Sequence, residues 1–298
     1  MFETFIGIDL GGARGRTTAV TRMRYQAGRN GASGHIVVQE VSTRNGDGEP
    51  WHDAALEAYL GTHSSGVIAI NAPLTLPACM RCQLQVCPSK RECVDPAVVW
   101  LREVGHELAV QAVESDRDRI AVVPGGRSGT YDRPWWQQKS RVEPYVHRGC
   151  EVVLHYRHGI LQRDAMGAGT GPIATRASHL KRRLAGLGFE LNRNLIEVSA
   201  RVTVHSLFGE RKARGYRRDA DPWRIRAGIV EGLGDLRFAL ASRMAREEVL
   251  RNDHCFDSLV SCYTAFLWAR DGWTMPSEGA FAEDGWIWSP VDGAGSGP

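Results

Sequence analysis

The chain has 298 residues, of which 43% are apolar and 24% are charged, and its formal net charge is +3. This is the composition of a globular protein that can fill a core, and the small net charge neither requires nor excludes nucleic acid. No apolar run approaches the roughly 20 residues that a membrane-spanning helix needs. The first residues also lack the basic and long apolar regions of a secretory signal. We therefore expect a cytoplasmic protein with no membrane contact, whose seven cysteines are mostly reduced thiols or metal ligands.

Apolar runs bounded by turn residues predict strands early in the chain, and amphipathic helices follow later. The predicted strands are 4–10, 16–23, 35–41, 66–70 and 194–199, with further extended segments at 119–123 and 151–156. The predicted helices are 53–60, one from Asp95 to residue 108, 175–187, one from Asp221 to residue 240, and 253–269. This order predicts an α/β fold with a mixed sheet flanked by helices.

We expect one domain over residues 1–290, interrupted by two insertions. The first, at about 77–95, is rich in cysteine, and the second, at about 124–150, is irregular and rich in Gly, Trp and Arg. A long irregular loop inside a domain is usually functional or partly disordered. The Gly-rich residues 291–298 are expected to form a disordered tail.

Carboxylates occupy positions where such a fold could bring them together. Asp9 ends the first strand and is closely followed by two glycines, which would let a ligand approach the backbone. Glu197 lies inside an apolar strand, and Asp257 begins the last helix, with Asp253 one turn earlier. Taken singly, Glu197 could face water at a strand edge and Asp253 could be a helix cap. Clustered carboxylates are tolerable when Mg²⁺ or Mn²⁺ neutralises them.

Four motifs together resemble a known family. They are GIDLGG at 7–12, IAINAPLTLP at 68–77, LIEVS at 195–199 and DHCFDSLVSCYTAFL at 253–267. In this order they are similar to motifs of the domain-of-unknown-function family 429, whose members are described as predicted nucleases with a ribonuclease H-like fold. The resemblance covers nearly the whole chain. It implies a ribonuclease H-like sheet and a metal-dependent nuclease site.

The resemblance also implies roles for individual residues. Asp9, Glu197 and the helix pair Asp253 and Asp257 would be the catalytic carboxylates. Asn71 stands where the family tends to have Asp; its amide oxygen can ligate a metal but adds no negative charge. Arg133, Arg141 and Glu143 resemble a further Arg/Glu motif of the family, and we place them with the substrate-binding residues. The alternative is a surface ion pair.

Cys79, Cys82, Cys87 and Cys93 form a C-x2-C-x4-C-x5-C run in a polar segment. Four cysteines within 15 residues of a cytoplasmic protein indicate metal binding. Only the first two form the close pair typical of structural zinc, and Cys87-Pro88 is also compatible with an iron–sulfur cluster. We therefore expect the four cysteines to bind zinc or an iron–sulfur cluster, with a structural or recognition role.

Basic residues crowd residues 211–218, with an aromatic residue among them. This pattern suits a nucleic-acid backbone with base stacking, although a solvated loop is the alternative. A second basic cluster lies at 181–183, and Trp135-Trp136 in the irregular segment could stack on bases or pack over the core. The substrate-binding residues predicted in the first segment are Lys212, Arg214, Tyr216, Arg217 and Arg218.

Three functions remain open from the sequence. The first is a metal-dependent phosphodiester hydrolase acting on nucleic acid. The second is an ATPase or kinase of the actin/sugar-kinase superfold, suggested by Asp9-Leu10-Gly11-Gly12 and the following Thr17-Thr18. The third is a catalytically weakened nucleic-acid-binding module, which Asn71 and the cysteine run would both fit. The sequence does not give the oligomeric state.

Overall fold

A computed structural model describes residues 2–12, 14–28, 34–111, 142–160, 164–167, 169–239 and 243–290. Within these ranges, seven strands form one mixed sheet. The strands are β1 Thr4–Asp9, β2 Ala19–Gln26, β3 His35–Ser42, β4 Val67–Ile70, β5 Leu195–Val198, β6 Leu236–Phe238 and β7 Ile287–Trp288. Their order across the sheet is β6-β3-β2-β1-β4-β5-β7.

The central strand β1 has partners of both kinds. It pairs antiparallel with β2, which pairs antiparallel with β3, and it pairs parallel with β4. Strands β5 and β7 continue the parallel side, and β6 adds to β3 in parallel. The predicted α/β fold with a mixed sheet is confirmed. The carboxyl ends of β1, β4 and β5 therefore meet at one edge of the sheet.

Helices occupy most of the remaining described chain. They are α1 Asp53–Gly61, α2 Ala78–Arg81, α3 Ser89–Glu92, α4 Pro96–Trp100 with a π-helical turn Leu101–Gly105, α5 Gly149–Val152 with a π-helical turn Val153–Arg157, α6 Gly171–Ala185, α7 Ala200–Phe208, α8 Glu210–Arg218, α9 Pro222–Gly232, α10 Arg243–Arg251, α11 Asp253–Asp271 and α12 Ala280–Asp284.

The two faces of β1 meet different helices because side chains alternate along a strand. Ile6 and Ile8 belong to a buried cluster that includes residues of α1 and α6, such as Leu56 and Leu180. On the other face, Gly7 lies directly under α11. A Cβ atom at position 7 would lie 2.1 Å from the Ser258 carbonyl oxygen, so only glycine allows the helix to come this close.

The chain divides into two compact units. The first contains Met1–Leu74, Pro172–Thr274 and Ile287–Pro298, and it holds the sheet. The second contains Thr75–Gly171 and Met275–Trp286, a larger segment than the two insertions expected from the sequence, both of which fall inside it.

The second unit has its own buried groups. Phe281 packs edge-on against Trp100 and Trp286, with ring centroids 5.2 and 4.7 Å apart. The side chain of Arg148 is fully buried and donates two hydrogen bonds to Glu151 Oε1, at 3.0 Å from Nε and 2.9 Å from Nη2. This ion pair and the aromatic contacts give the unit a core of its own.

Two predicted elements are wrong. Residues 151–156 were expected to be extended, but Glu151 accepts a hydrogen bond from the Arg148 backbone N–H at 3.1 Å and caps a helix there. The helix expected to run to residue 240 ends at Gly232, and Leu236 begins β6 instead. Glycines at 232 and 234 interrupt the apolar spacing that suggested one long helix.

The predicted segment 119–123, most of the irregular segment 124–150, and the tail 291–298 lie outside the described residues.

Candidate active site

Asp9 is the last residue of β1 and lies two residues after Gly7. Its side chain shares a face with Gly7, and it is therefore directed to the side of the sheet that α11 covers. Asp9 is only 6% exposed. A carboxylate this buried must be hydrogen-bonded, paired with a cation or protonated.

Asn71 connects Asp9 to the helix. It follows β4, where its backbone N–H donates to Ile8 O at 2.8 Å. Its Nδ2 donates to Asp9 Oδ1 at 2.7 Å and lies 3.5 Å from Asp257 Oδ2. The Ala200 backbone N–H donates to Asn71 Oδ1 at 3.2 Å, and this bond fixes the orientation of the amide. Asn71 therefore turns its N–H groups, and not its oxygen, towards the two carboxylates.

Asp257 lies in the second turn of α11 and is 2% exposed. Burial raises its pKa to about 7; the nearby Asp9 charge acts in the same direction, and Arg217 opposes it. Its Oδ1 is buried and has no hydrogen-bond partner among the described residues. An unsatisfied buried carboxylate oxygen is costly, so this atom indicates a position where a proton or a cation would be favourable.

His254 is a site residue that the sequence reasoning missed. Its Nδ1 lies 2.7 Å from Asp9 Oδ2, and its side chain is 31% exposed. The hydrogen bond to Asp9 raises the pKa of His254 above its ordinary value. The signal was present in the sequence, because His254 stands three residues before Asp257 and so shares its helix face.

Arg217 and Asp253 complete the cluster. The Arg217 guanidinium contacts Asp257 Oδ2 and lies 3.6 Å from Asp253 Oδ2. Arg217 was predicted to bind a phosphate, but here it neutralises the buried carboxylate while its side chain stays 32% exposed. Asp253 is not the helix cap, because Asn252 Oδ1 accepts the cap hydrogen bond from the His254 backbone N–H at 2.9 Å.

Glu197 does not join this cluster as expected. It pairs with Ile70, which in turn pairs with Ile8, so Glu197 shares the sheet face of Ile8 and lies opposite to Asp9. Its Oε2 accepts a hydrogen bond from the Leu74 backbone N–H at 2.7 Å. The prediction that Glu197 lies beside Asp9 is wrong. Glu197 is in register with Ile8, one residue before Asp9, so the two side chains point to opposite faces of the sheet.

The basic segment 211–218 is the helix α8, with two distinct sides. Tyr216 is buried against Phe256, with ring centroids 4.9 Å apart, and its hydroxyl interacts with Asp257. Tyr216 is therefore not available to stack on bases, although the sequence predicted that role. Lys212 lies over the Phe208 ring at 4.9 Å, and Arg214 pairs with Glu210. The exposed basic residues of the helix are Arg211, Arg214, Arg217 and Arg218.

The structure does not test the predicted substrate-binding role of Arg133, Arg141 and Glu143. Arg133 and Arg141 lie outside the described residues. Glu143 belongs to the second unit, where Lys90 Nζ lies 3.3 Å from its Oε2. Glu143 is thus part of an ion pair with Lys90.

The four cysteines of the predicted metal site are at or near the surface of the second unit. Cys79, Cys82 and Cys87 are exposed, and Cys93 is half-buried. Across the described ranges, no three His, Cys, Asp or Glu side chains are arranged as a ready set of metal ligands. Neither the cysteines nor the carboxylates of the first unit form such a set in the described chain.

Comparisons of the chain with family models, with curated proteins and with solved structures found no match. In the part of the chain that the structure describes, no helix has the length and apolar character needed to cross a membrane.

Proposed function

We propose that the chain is a ribonuclease H-like phosphodiester hydrolase that acts on nucleic acid with a divalent cation, Mg²⁺ or Mn²⁺. The observation that carries this proposal is the pair of buried carboxylates, Asp9 and Asp257, joined by Asn71 at the carboxyl end of the central strand. The mixed sheet supports the fold implied by the family resemblance, since β1 has an antiparallel partner on one side and a parallel partner on the other.

The residues fit one cation better than two. Asp257 Oδ1 is without a partner in the described chain, and Asp9 is close by through Asn71. Mg²⁺ is often held by one or two carboxylates, with water and substrate phosphate completing its octahedron. Asn71 presents N–H groups to the carboxylates and therefore supplies no third oxygen there. Asp9 and Asp257 would hold the ion, which when bound would polarise the phosphate and lower the pKa of a bound water.

His254 is suited to move a proton in this reaction. Since Nδ1 is held by Asp9, Nε2 is the nitrogen left to accept a proton from the attacking water. The water oxygen forms a bond to phosphorus, the bond from phosphorus to the leaving oxygen breaks, and that oxygen takes up a proton from bulk water, while His254 returns its proton to the solvent. Arg217, partly exposed beside Asp257, stabilises the negative charge that develops on the phosphate.

The surroundings of the cluster favour a nucleic-acid substrate. Helix α8 carries Arg217 and places three more arginines, Arg211, Arg214 and Arg218, at its exposed surface. An exposed aromatic residue lies at the start of the next helix, where Trp223 is 53% exposed. Basic and aromatic side chains together bind single-stranded nucleic acid through its phosphates and bases.

One observation favours a binding module without catalysis. Arg217 and Asn71 already neutralise or hydrogen-bond the two buried carboxylates, so their charges have protein partners. An ATPase is less well supported. Arg176 Nη1 donates to Gly11 O and Gly12 O at 2.8 Å each, and Thr18 Oγ1 accepts from the Gly11 N–H at 3.1 Å. The turn that resembled a phosphate-binding loop is thus bonded internally.

The test compares the wild-type chain with Asp9→Asn on labelled single-stranded and duplex DNA and RNA, with Mn²⁺ or Mg²⁺. Asp9→Asn should lower the cleavage rate by more than about 100-fold and weaken Mn²⁺ binding in calorimetry, while circular dichroism stays unchanged. Asp271→Asn, an exposed carboxylate in the last turn of α11, is the matched control.

Two results would refute the hydrolase. One is cleavage by Asp9→Asn at the wild-type rate. The other is tight nucleic-acid binding by the wild-type chain with no cleavage under any divalent cation, which would establish the binding module instead.

A further inference from the structure

The cysteine segment, residues 79–95, differs from an ordinary surface loop in how it exposes its thiols. Free cysteine is among the residues most often buried in proteins. Here three of the four thiol-bearing residues are exposed, and Cys93 is only half-buried. Exposed thiols in this number need a chemical reason, because they would otherwise be open to oxidation.

The segment also lacks a core that would hold it in one conformation. Its two helices, α2 and α3, have four residues each, and α3 buries none of them. Helices this short are unstable without tertiary contacts or a cross-link. The segment exposes an unusual set of large apolar side chains, which are Met80, Leu84, Val86 and Val94, at 50%, 62%, 82% and 87% exposure. Cys93 packs against a small apolar cluster of Ala78, Ala97 and Val98 at the border of the segment.

The backbone nevertheless places the cysteines in related positions. Cys82 directly follows α2 and Cys93 directly follows α3, both with extended backbone, while Cys79 lies within α2. The Leu84 backbone N–H points to Cys82 Sγ at 3.5 Å, a contact that favours a thiolate. The other three thiols are close enough to Cys79 to interact with it electrostatically.

The end of the segment is anchored from outside. Arg102 Nη1 donates hydrogen bonds to three backbone carbonyls, those of Lys90, Arg91 and Cys93, at 3.1, 2.9 and 3.2 Å. This arginine holds the turn around Cys93 against α4 and its π-helical extension. The side with Cys79 and Cys82 is held as well, because the Cys79 backbone N–H donates to Pro144 O at 3.1 Å and Arg81 Nε donates to Leu76 O at 3.0 Å. Both ends of the segment therefore have anchored backbones, and bringing the four sulfurs together is left to the residues between them.

We propose that Cys79, Cys82, Cys87 and Cys93 bind one zinc ion as four thiolates and that this ion, in place of an apolar core, folds residues 79–95. Zinc is favoured over an iron–sulfur cluster because Cys79 and Cys82 form a close pair and because zinc, which has no redox chemistry, tolerates an exposed site. The sulfurs are not yet arranged as a ligand set, so binding draws them together and couples to local folding. The cysteines belong to the second unit, and this proposal does not rest on the proposed hydrolase.

The test begins with the full chain purified without added metal. We expect about one zinc per chain by elemental analysis, released when a mercurial reagent titrates four thiols. Each of Cys79→Ser, Cys82→Ser, Cys87→Ser and Cys93→Ser should lower the zinc content, whereas Cys150→Ala, a buried thiol of the same unit, should retain it.

A second measurement serves where a variant does not fold. Zinc is removed from the wild-type chain with a chelator and then restored. Amide hydrogen exchange over residues 78–95 should rise on removal and fall on restoration. A metal-free chain with four freely reacting thiols and unchanged exchange would refute the site, and a brown iron chromophore in place of zinc would refute the assignment of the ion.

Discussion

Asn71 limits the proposed site to one cation. Its amide is fixed by the Ala200 N–H, so it directs N–H groups to Asp9 and Asp257. A carboxylate in its place would add a negative charge and two acceptor oxygens between two existing carboxylates. The site would then have to bind a cation, or protonate, to remain folded.

We therefore expect Asn71→Asp to bind Mn²⁺ at least about tenfold more tightly than the wild-type chain, as measured by calorimetry. Without metal the same variant should be less stable in urea, because three carboxylates repel one another. Asn45→Asp is a matched control, since Asn45 is half-buried in a turn and its Oδ1 accepts turn hydrogen bonds that Asp can also accept. Equal Mn²⁺ affinity in Asn71→Asp and the wild-type chain would contradict the single-cation geometry.

The site shows what can be predicted from single residues. Asp9 and Asp257 were predicted from their positions at a strand end and a helix start. Glu197 was misplaced because the face of a strand residue depends on register, which one sequence does not give. His254 and the counter-ion role of Arg217 were missed because their partners lie 245 and 40 residues away along the chain.

Helix α8 acts as a basic surface leading away from the cluster. Arg211, Arg214 and Arg218 have helical spacings of three and four residues and so share the exposed face, while Ala213 and Tyr216 are buried. Arg217 on the same helix contacts Asp257. A nucleic-acid backbone along this face would lead a phosphate to the carboxylates.

We expect the double variant Arg214→Gln/Arg218→Gln to weaken nucleic-acid binding and to flatten the dependence of log affinity on log salt. Each lost phosphate contact should reduce the slope by about 0.7 for a single strand or about 0.9 for duplex DNA. Fluorescence anisotropy over a range of salt concentrations measures both effects.

The control for α8 is the double variant Arg24→Gln/Arg193→Gln. Both of these arginines are exposed and pair with glutamates, as Arg214 does. In the β1–β2 register Arg24 lies opposite Thr4, the first residue of β1, and Arg193 precedes β5. Both arginines therefore lie near the amino-terminal ends of these strands, whereas Asp9 is at the carboxyl end of β1. An equal change of slope in the two double variants would mean that α8 contributes only net charge.

At the scale of elements, capping signals predicted the starts of two helices, and apolar spacing predicted α11 but placed the end of α9 too late. Asp95-Pro96 and Asp221-Pro222 begin helices in the structure, and both aspartates accept the cap hydrogen bonds. Segment 151–156 was misassigned because its β-branched residues outweighed the cap that Glu151 provides. The helix at 210–218 was not predicted from the sequence, because charged residues dominate this segment and only Ala213, Gly215 and Tyr216 form its buried side.

At the scale of the whole molecule, the mixed sheet was predictable because most of its strands are apolar and bounded by turns. Strands β6 and β7 were not predicted, because they are too short to show an apolar pattern in the sequence. The division into two units was not predicted. The second unit is built from two chain segments that are far apart in sequence, Thr75–Gly171 and Met275–Trp286, and their pairing is a tertiary property.

The buried cluster also links the stability of the folded chain to pH. Burial raises the pKa of Asp257 to about 7, so as pH rises from its ordinary value towards 7 the unfolded chain loses this proton before the folded chain does. Stability falls over that range. The Asp9 hydrogen bond raises the pKa of His254, and its stabilising effect, full below the ordinary pKa, is lost as pH rises through the raised value. Both groups make the metal-free chain less stable at high pH.

We therefore expect Asp257→Asn to gain stability relative to the wild-type chain at about pH 8 and to gain less at about pH 5.5, as measured by urea unfolding without divalent cations. Burial also raises the pKa of Glu151 to about 7, so only the difference between the two chains isolates Asp257. Mn²⁺ should stabilise the wild-type chain more at the higher pH, because the cation binds the deprotonated carboxylates, and it should have little effect on Asp257→Asn. Asp271→Asn should follow the wild-type chain throughout. A wild-type chain that Mn²⁺ stabilises equally at both pH values would show that the ion binds elsewhere than at Asp9 and Asp257.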